Sequence, residues 1–115
     1  MPCLKILTNL PRSQIPNDFV NKILPLLARV VRKPEDKFVC VVSGDCAISF
    51  GGQSTVPSAV ATLESIGHLG LEENKIIGSE VTSFIEKELG IDYNNNFYVT
   101  VYSSVISVIS DLGVS

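Results

Sequence analysis

The chain has no tryptophan, one methionine and one histidine in 115 residues, and only 18% of its side chains carry charge. A single histidine, His68, leaves no basis for a histidine metal cluster or a histidine-pair acid–base mechanism. The three cysteines (Cys3, Cys40, Cys46) are odd in number and form no C-x-x-C, so neither a disulfide framework nor a zinc site is indicated. No apolar run approaches the ~18 residues that a membrane span requires. The start, MPCLKILTNLP, lacks the charged, apolar and cleavage segments of a signal peptide, so the chain is expected to begin in the cytosol. There is no serine–histidine–acid order, no G-x-x-x-x-G-K-[ST], and no G-x-G-x-x-G behind a strand.

What is present is apolar: 45% of residues are hydrophobic and mean hydropathy is +0.32. That excludes a disordered chain and is high for a small monomer with much surface to cover. The length fits one domain over residues 1–115. The net charge of −3 argues against a nucleic-acid partner. It hides an asymmetry: residues 1–37 carry seven basic and three acidic side chains, the remainder two basic and nine acidic. Arg29, Arg32, Lys33 and Lys37 fall within nine residues, which complements a helix C-terminus or, beside a pocket, gathers small anions.

The patterning predicts two similar halves. Residues 2–8 alternate as a strand. Asn17 is placed to cap a helix with Asp18 in its first turn, and Phe19, Ile23, Leu26, Leu27, Val30 and Val31 share one face. A kink is expected at Pro25, and Lys33-Pro34 is expected to end the helix. Phe38–Val42 reads as a strand buried on both faces, and Ala47–Phe50 as a short second one. A strand follows within Ser58–Gly67. A helix from Leu71 closes at Gly90 with Ile77, Val81, Phe84, Ile85 and Leu89 inward. Strands at Phe97–Tyr102 and Val105–Ile109 complete the chain. The result is an α/β fold of two βαβ units, each crossing over right-handed. Two helices cannot cover both faces of their sheet, so self-association is expected to cover the other.

Most chemistry-bearing residues have ordinary readings. Phe50-Gly51-Gly52-Gln53 reads as a turn, His68 as a loop histidine, and Cys3 and Cys40 as small core residues. The exception is Met1-Pro2. A methionine before a small residue is normally trimmed, and Pro2 would then present a secondary amine. The usual α-amino pKa is about 8. Burial and a nearby cation both lower it, which tunes a general base to neutral pH.

Met1-Pro2, Thr8–Pro11 (TNLP), Lys33-Pro34, Phe50–Thr55 (FGGQST), Ser65-Ile66-Gly67 and Phe97–Tyr102 (FYVTVY) occur in this order. In these motifs the chain resembles the macrophage migration inhibitory factor and D-dopachrome tautomerase family over nearly its whole length. The resemblance implies a four-stranded sheet with two helices on one face, assembled as a homotrimer. It implies a cofactor-free phenylpyruvate-type keto–enol tautomerase, an isomerase acting on small aromatic α-keto acids. By this resemblance Pro2 is the catalytic base and Lys33 binds the substrate carboxylate and lowers the proline pKa. Ile66 offers a backbone amide to the substrate beside Ser65, and Tyr98 reaches the pocket across the subunit interface. It also implies a secreted cytokine-like immune modulator, cytoplasmic and exported without a signal peptide. The alternative is a signalling ligand for a cell-surface receptor, with a vestigial pocket.

The chain departs from the family at four places. Thr100 replaces a substrate-contacting asparagine, and Lys37 an aromatic residue at the pocket mouth. The C-terminal VISDLGVS lacks the tryptophan-bearing tail, and Ser58–Ala61 stands where an oxidoreductase C-x-x-C would be.

Overall fold

Alternation in CLKILT makes Cys3–Thr8 a strand (β1), with Leu4, Ile6 and Thr8 buried and Lys5 and Leu7 exposed. This is seen in a computed structural model that describes residues 2–49, 51–65, 71–91 and 97–103. The elements that follow are α1 (Phe19–Val31), β2 (Val39–Ser43), β3 (Ala59–Ser65), α2 (Leu71–Leu89) and β4 (Phe97–Ser103). They form one four-stranded sheet in the order β2-β1-β3-β4. β1 is parallel to β2 and antiparallel to β3, and β3 is parallel to β4. Each parallel pair is joined by one helix, so the chain is two βαβ units meeting along the antiparallel β1–β3 seam.

The register sorts side chains by face. Leu4, Ile6, Ala59, Ala61 and Leu63 are fully buried beneath Phe19, Ile23 and Leu27 of α1 and Ile77, Val81 and Ile85 of α2. Burying each large aliphatic side chain contributes roughly 1.5–3 kcal/mol, so this one shared layer carries the stability of both units. Phe19 meets Phe84 edge to face, ring centroids 5.4 Å apart. Ion pairs Lys22–Glu88 and Arg29–Glu80, both 2.9 Å, link the outer sides of the two helices. Asn74 is buried on α2, and its Oδ1 has no partner among the described residues.

The other face is open in the single chain. Leu7, Val39 and Val41 are 44%, 40% and 44% exposed. β2 is therefore not buried on both faces, as its unbroken apolar run suggested.

Other boundaries also differ from the sequence reading. α1 begins at Phe19 after Asp18, and no side chain caps it. It runs through Pro25 without a break. Pro25 is exposed, and so is Asn21, whose carbonyl the missing donor would have served. The helix stops two residues before Lys33, because Arg32 turns left-handed (φ 63°, ψ 46°) and its N–H closes on the Ala28 carbonyl at 3.0 Å. Ala47–Ser49 is not a strand. The N–H groups of Asp45 and Cys46 bond to the carbonyls of Leu10 and Thr8, but both edges of β1 are already taken by β2 and β3. Phe50 and the expected strand at Val105–Ile109 lie outside the described residues. α2 matches its predicted limits, and Gly90 ends it at φ 69°, where a side chain would be strained.

Gly44 marks a close approach between the turn after β2 and the loop after β1. A Cβ there would lie 2.9 Å from Ile15 Cδ1, 3.0 Å from the Leu10 carbonyl oxygen and 3.2 Å from Arg12 Cα. Gly44→Ala is expected to lower stability by about 1–3 kcal/mol, read as a reduced urea midpoint at constant m-value. An unchanged midpoint would mean that the loop yields freely.

Candidate functional site

β1 and β2 begin, and β3 and β4 end, along the same edge of the sheet. Pro2 enters that edge and is fully buried. Its carbonyl accepts the Val39 N–H at 2.8 Å, which extends the β1–β2 ladder by one step and fixes the backbone of Pro2. Lys33 lies in the segment that leads from α1 to the start of β2 at this edge. The left-handed Arg32 turns the chain out of α1, Lys33 follows half-buried, and a single 3-10 turn at Glu35–Lys37 leads into Phe38 and Val39.

Ser65 is the last residue of β3. Cys3 pairs with Glu64, so continuation of the antiparallel ladder sets Ser65 opposite Pro2. Pro2 and Ser65 are thus brought to one edge, and Lys33 lies six residues before Val39 in the segment that enters it. Ile66 lies outside the described residues. Tyr98 is not brought there: its backbone pairs with Val60, five residues before Ser65. At ~3.3 Å per residue that is roughly 16 Å along the sheet.

Cys40 stands one position beyond Val39, on the helix-covered side with Leu4. Burial, with a smaller contribution from Cys3, pushes its thiol up to about 11. Among the described residues no group of three or more His, Cys, Asp or Glu side chains comes together. Nor is any helix there long and apolar enough to cross a membrane.

A concavity of about 660 Å³ lies at the opposite end of β1 from Pro2. Asn9, Leu10, Gln14, Cys46, Ile48 and Thr55 line it, and Pro2, Lys33 and Ser65 do not. Asn9 braces its wall: Nδ2 donates to the Val56 carbonyl and Oδ1 accepts from the Ser58 N–H, both at 2.8 Å. Thr8 Oγ1 donates to the Ser58 carbonyl at 2.7 Å. Gly51 and Gly52 adopt left-handed angles beside this end, in keeping with their reading as a turn.

Sequence reasoning missed two parts of the site edge. The Val39 amide contact is a backbone bond, which no side chain announces. Arg32 adopts a conformation that usually favours glycine or asparagine, so its type gave no signal.

Two βαβ units on one sheet, with Pro2 at its edge, define a duplicated α/β class. Within that class, the description "Macrophage migration inhibitory factor (MIF)" fits residues 1–109, and the chain belongs to that family. It is 35% identical over 94 residues to a macrophage migration inhibitory factor homolog of Brugia malayi, covering 82% of this chain and 81% of that one. It is 31% identical over 93 residues to D-dopachrome decarboxylase of Mus musculus, covering 80% and 78%. The solved macrophage migration inhibitory factor of Trichinella spiralis superposes with a TM-score of 0.83 at 24% identity, covering 94% of each chain. That likeness concerns the fold.

The Cys40 environment has a direct consequence. A thiol whose pKa is raised to about 11 is almost wholly protonated at pH 8, so alkylation by iodoacetamide should leave Cys40 unmodified in the native protein. Labelling should appear above pH 10 or on unfolding. Mass-mapped labelling of Cys40 at pH 8 at the rate of a free thiol would contradict its burial.

Proposed function

We propose that the protein is a keto–enol tautomerase for phenylpyruvate-type substrates, with the Pro2 nitrogen, freed by removal of Met1, as general base. The observation that carries this reading is the buried Pro2 at the sheet edge opposite Ser65, with Lys33 in the segment leading to Val39 beside it. Family membership supports it, as does a relative named for dopachrome chemistry.

The chemistry needs a weakly basic amine, an anchor for the carboxylate and no cofactor. Lys33 holds the carboxylate as a point charge. Pro2 takes the proton from one end of the three-atom keto–enol system as the electron pair moves along it, then returns the proton to the other end. Burial and the Lys33 cation both disfavour protonated Pro2, which keeps the base available near neutral pH. Ile66 contributes a backbone amide to the bound acid.

Tyr98 completes the pocket from a second copy. Its register position is too far from Pro2 of its own chain, and the open apolar face of β1 and β2 supports burial against neighbours in a homotrimer. A second reading, a cytokine-like ligand acting outside the cell on a receptor, is favoured by the names of the relatives. It is compatible with an active or a vestigial pocket.

Turnover of phenylpyruvate decides between an active and a vestigial pocket. In Met1-free protein, Pro2→Gly should lower kcat/KM by about 100-fold or more. Lys33→Ala should raise KM by roughly 10-fold. Unchanged turnover in Pro2→Gly removes the proline from the mechanism and leaves the signalling reading.

Light scattering addresses the assembly. A mass about three times 12.4 kDa is expected at micromolar concentration. A stable monomer would overturn both the shared Tyr98 and the covered face.

A further inference from the structure

We infer that the Ser65 hydroxyl is a positioning group for the Pro2 nitrogen, not a contact to the substrate. This rests on the tautomerase reading above and assigns the residue a part within it. The β1–β3 ladder pairs Leu4 with Leu63 and Cys3 with Glu64, so its next step sets Pro2 against Ser65. Pro2 shares the parity of Leu4 and Ile6, and Ser65 that of Ala61 and Leu63, so both point to the helix-covered side. Cross-strand neighbours on one face hold their Cβ atoms ~4.5–5.5 Å apart. A serine Oγ one bond beyond Cβ thus shares the face and the ladder step of the nitrogen at the head of β1. Ser65 is only 2% exposed, buried like Pro2 itself.

The chemistry follows from counting hydrogens. A neutral N-terminal proline has one N–H and one lone pair. Ser65 Oγ accepts that N–H, which leaves the lone pair directed away from Ser65 and toward the substrate. When the nitrogen takes the substrate proton it has two N–H bonds. One still points at Ser65, now as a stronger charge-assisted bond, and the other returns to substrate. Stabilising the protonated form raises the Pro2 pKa, opposing burial and Lys33.

Other charged or titratable groups stand on the elements around this edge. Arg32 and Lys33 stand past α1, and Glu35, Asp36 and Lys37 in the following turn. Cys40 of β2 stays neutral below about 11. Cys3 and Glu64 sit on the open side of β1 and β3, and exposed Glu72 and Glu73 open α2. His68 lies outside the described residues. All of these remain unchanged in a Ser65 variant, which makes the substitution informative.

The experiment uses full-length, Met1-free protein labelled with ¹⁵N-proline, and Ser65→Ala, Ser65→Cys and Ser65→Thr. The Pro2 amine is titrated by NMR, and phenylpyruvate kinetics are measured across pH. Ser65→Ala should lower the Pro2 pKa by about half a unit to one unit and kcat by roughly 5–20-fold, with KM within about twofold. Ser65→Cys, near in volume but a weak acceptor, should behave like alanine, and Ser65→Thr should restore most of the shift. An unchanged pKa in both Ser65→Ala and Ser65→Cys overturns the inference. So does a raised KM at constant kcat, which would make Ser65 a substrate contact. The NMR titration needs no turnover, so it tests Ser65 even if Pro2→Gly shows that the proline is not the base.

Discussion

The central position of β1 governs the rest of the molecule. Bonded to β2 on one side and β3 on the other, β1 has no free edge, and its alternation assigns every neighbouring residue to one of two faces. Leu4, Ile6 and Thr8 point under the helices, while Cys3, Lys5 and Leu7 point away. Because β2 is parallel and β3 antiparallel to β1, the start of β1 meets the start of β2 and the end of β3. Pro2, the approach to Val39 and Ser65 share an edge for that reason alone. The site is thus a product of strand direction more than of any local motif.

The same geometry explains why a single chain looks incomplete. Both crossover helices lie on one face, so the packing that stabilises the two units leaves Leu7, Val39 and Val41 to water. β3 and β4 are parallel, which carries the start of β4, with Tyr98, to the end of the sheet opposite Pro2. An uncovered apolar face and a distant aromatic residue are separate observations with one solution. The assembly proposed above would bury the first and return the second to the proline edge. The loop end of β1 is differently built. There Asn9, Thr8 and Gly44 lock three loops by hydrogen bonds and close contact, which suits a scaffold.

Electrostatics at the proline edge work by opposition. In the proposed mechanism burial and Lys33 favour the neutral amine, whereas a hydrogen-bond acceptor favours the charged one. A base that must gain and lose a proton in each cycle needs these influences nearly balanced at the working pH. Cys40, close by on β2, has its thiol pushed up mainly by burial, with Cys3 adding to the shift.

Periodicity alone marked the helices and most strands, because each must bury one face and the pattern of apolar residues records which. Leu71–Leu89 was legible from its apolar stripe and the terminal Gly90, and α1 from Phe19, Ile23, Leu27 and Val31. The proline and Lys33-Pro34 could be singled out by their chemistry and by resemblance. Other features were invisible until the chain folded. The left-handed Arg32 carries no residue-type signal, and Ala47–Ser49 has strand-like composition but no free strand edge on β1 to join. The exposure of Val39 and Val41 depends on which face the helices take, which hydrophobicity cannot say. The pairing that brings Ser65 to Pro2 spans more than sixty residues. Sequence determines which side chains prefer to be buried, but only the ladder, by fixing register and direction, decides which of them meet.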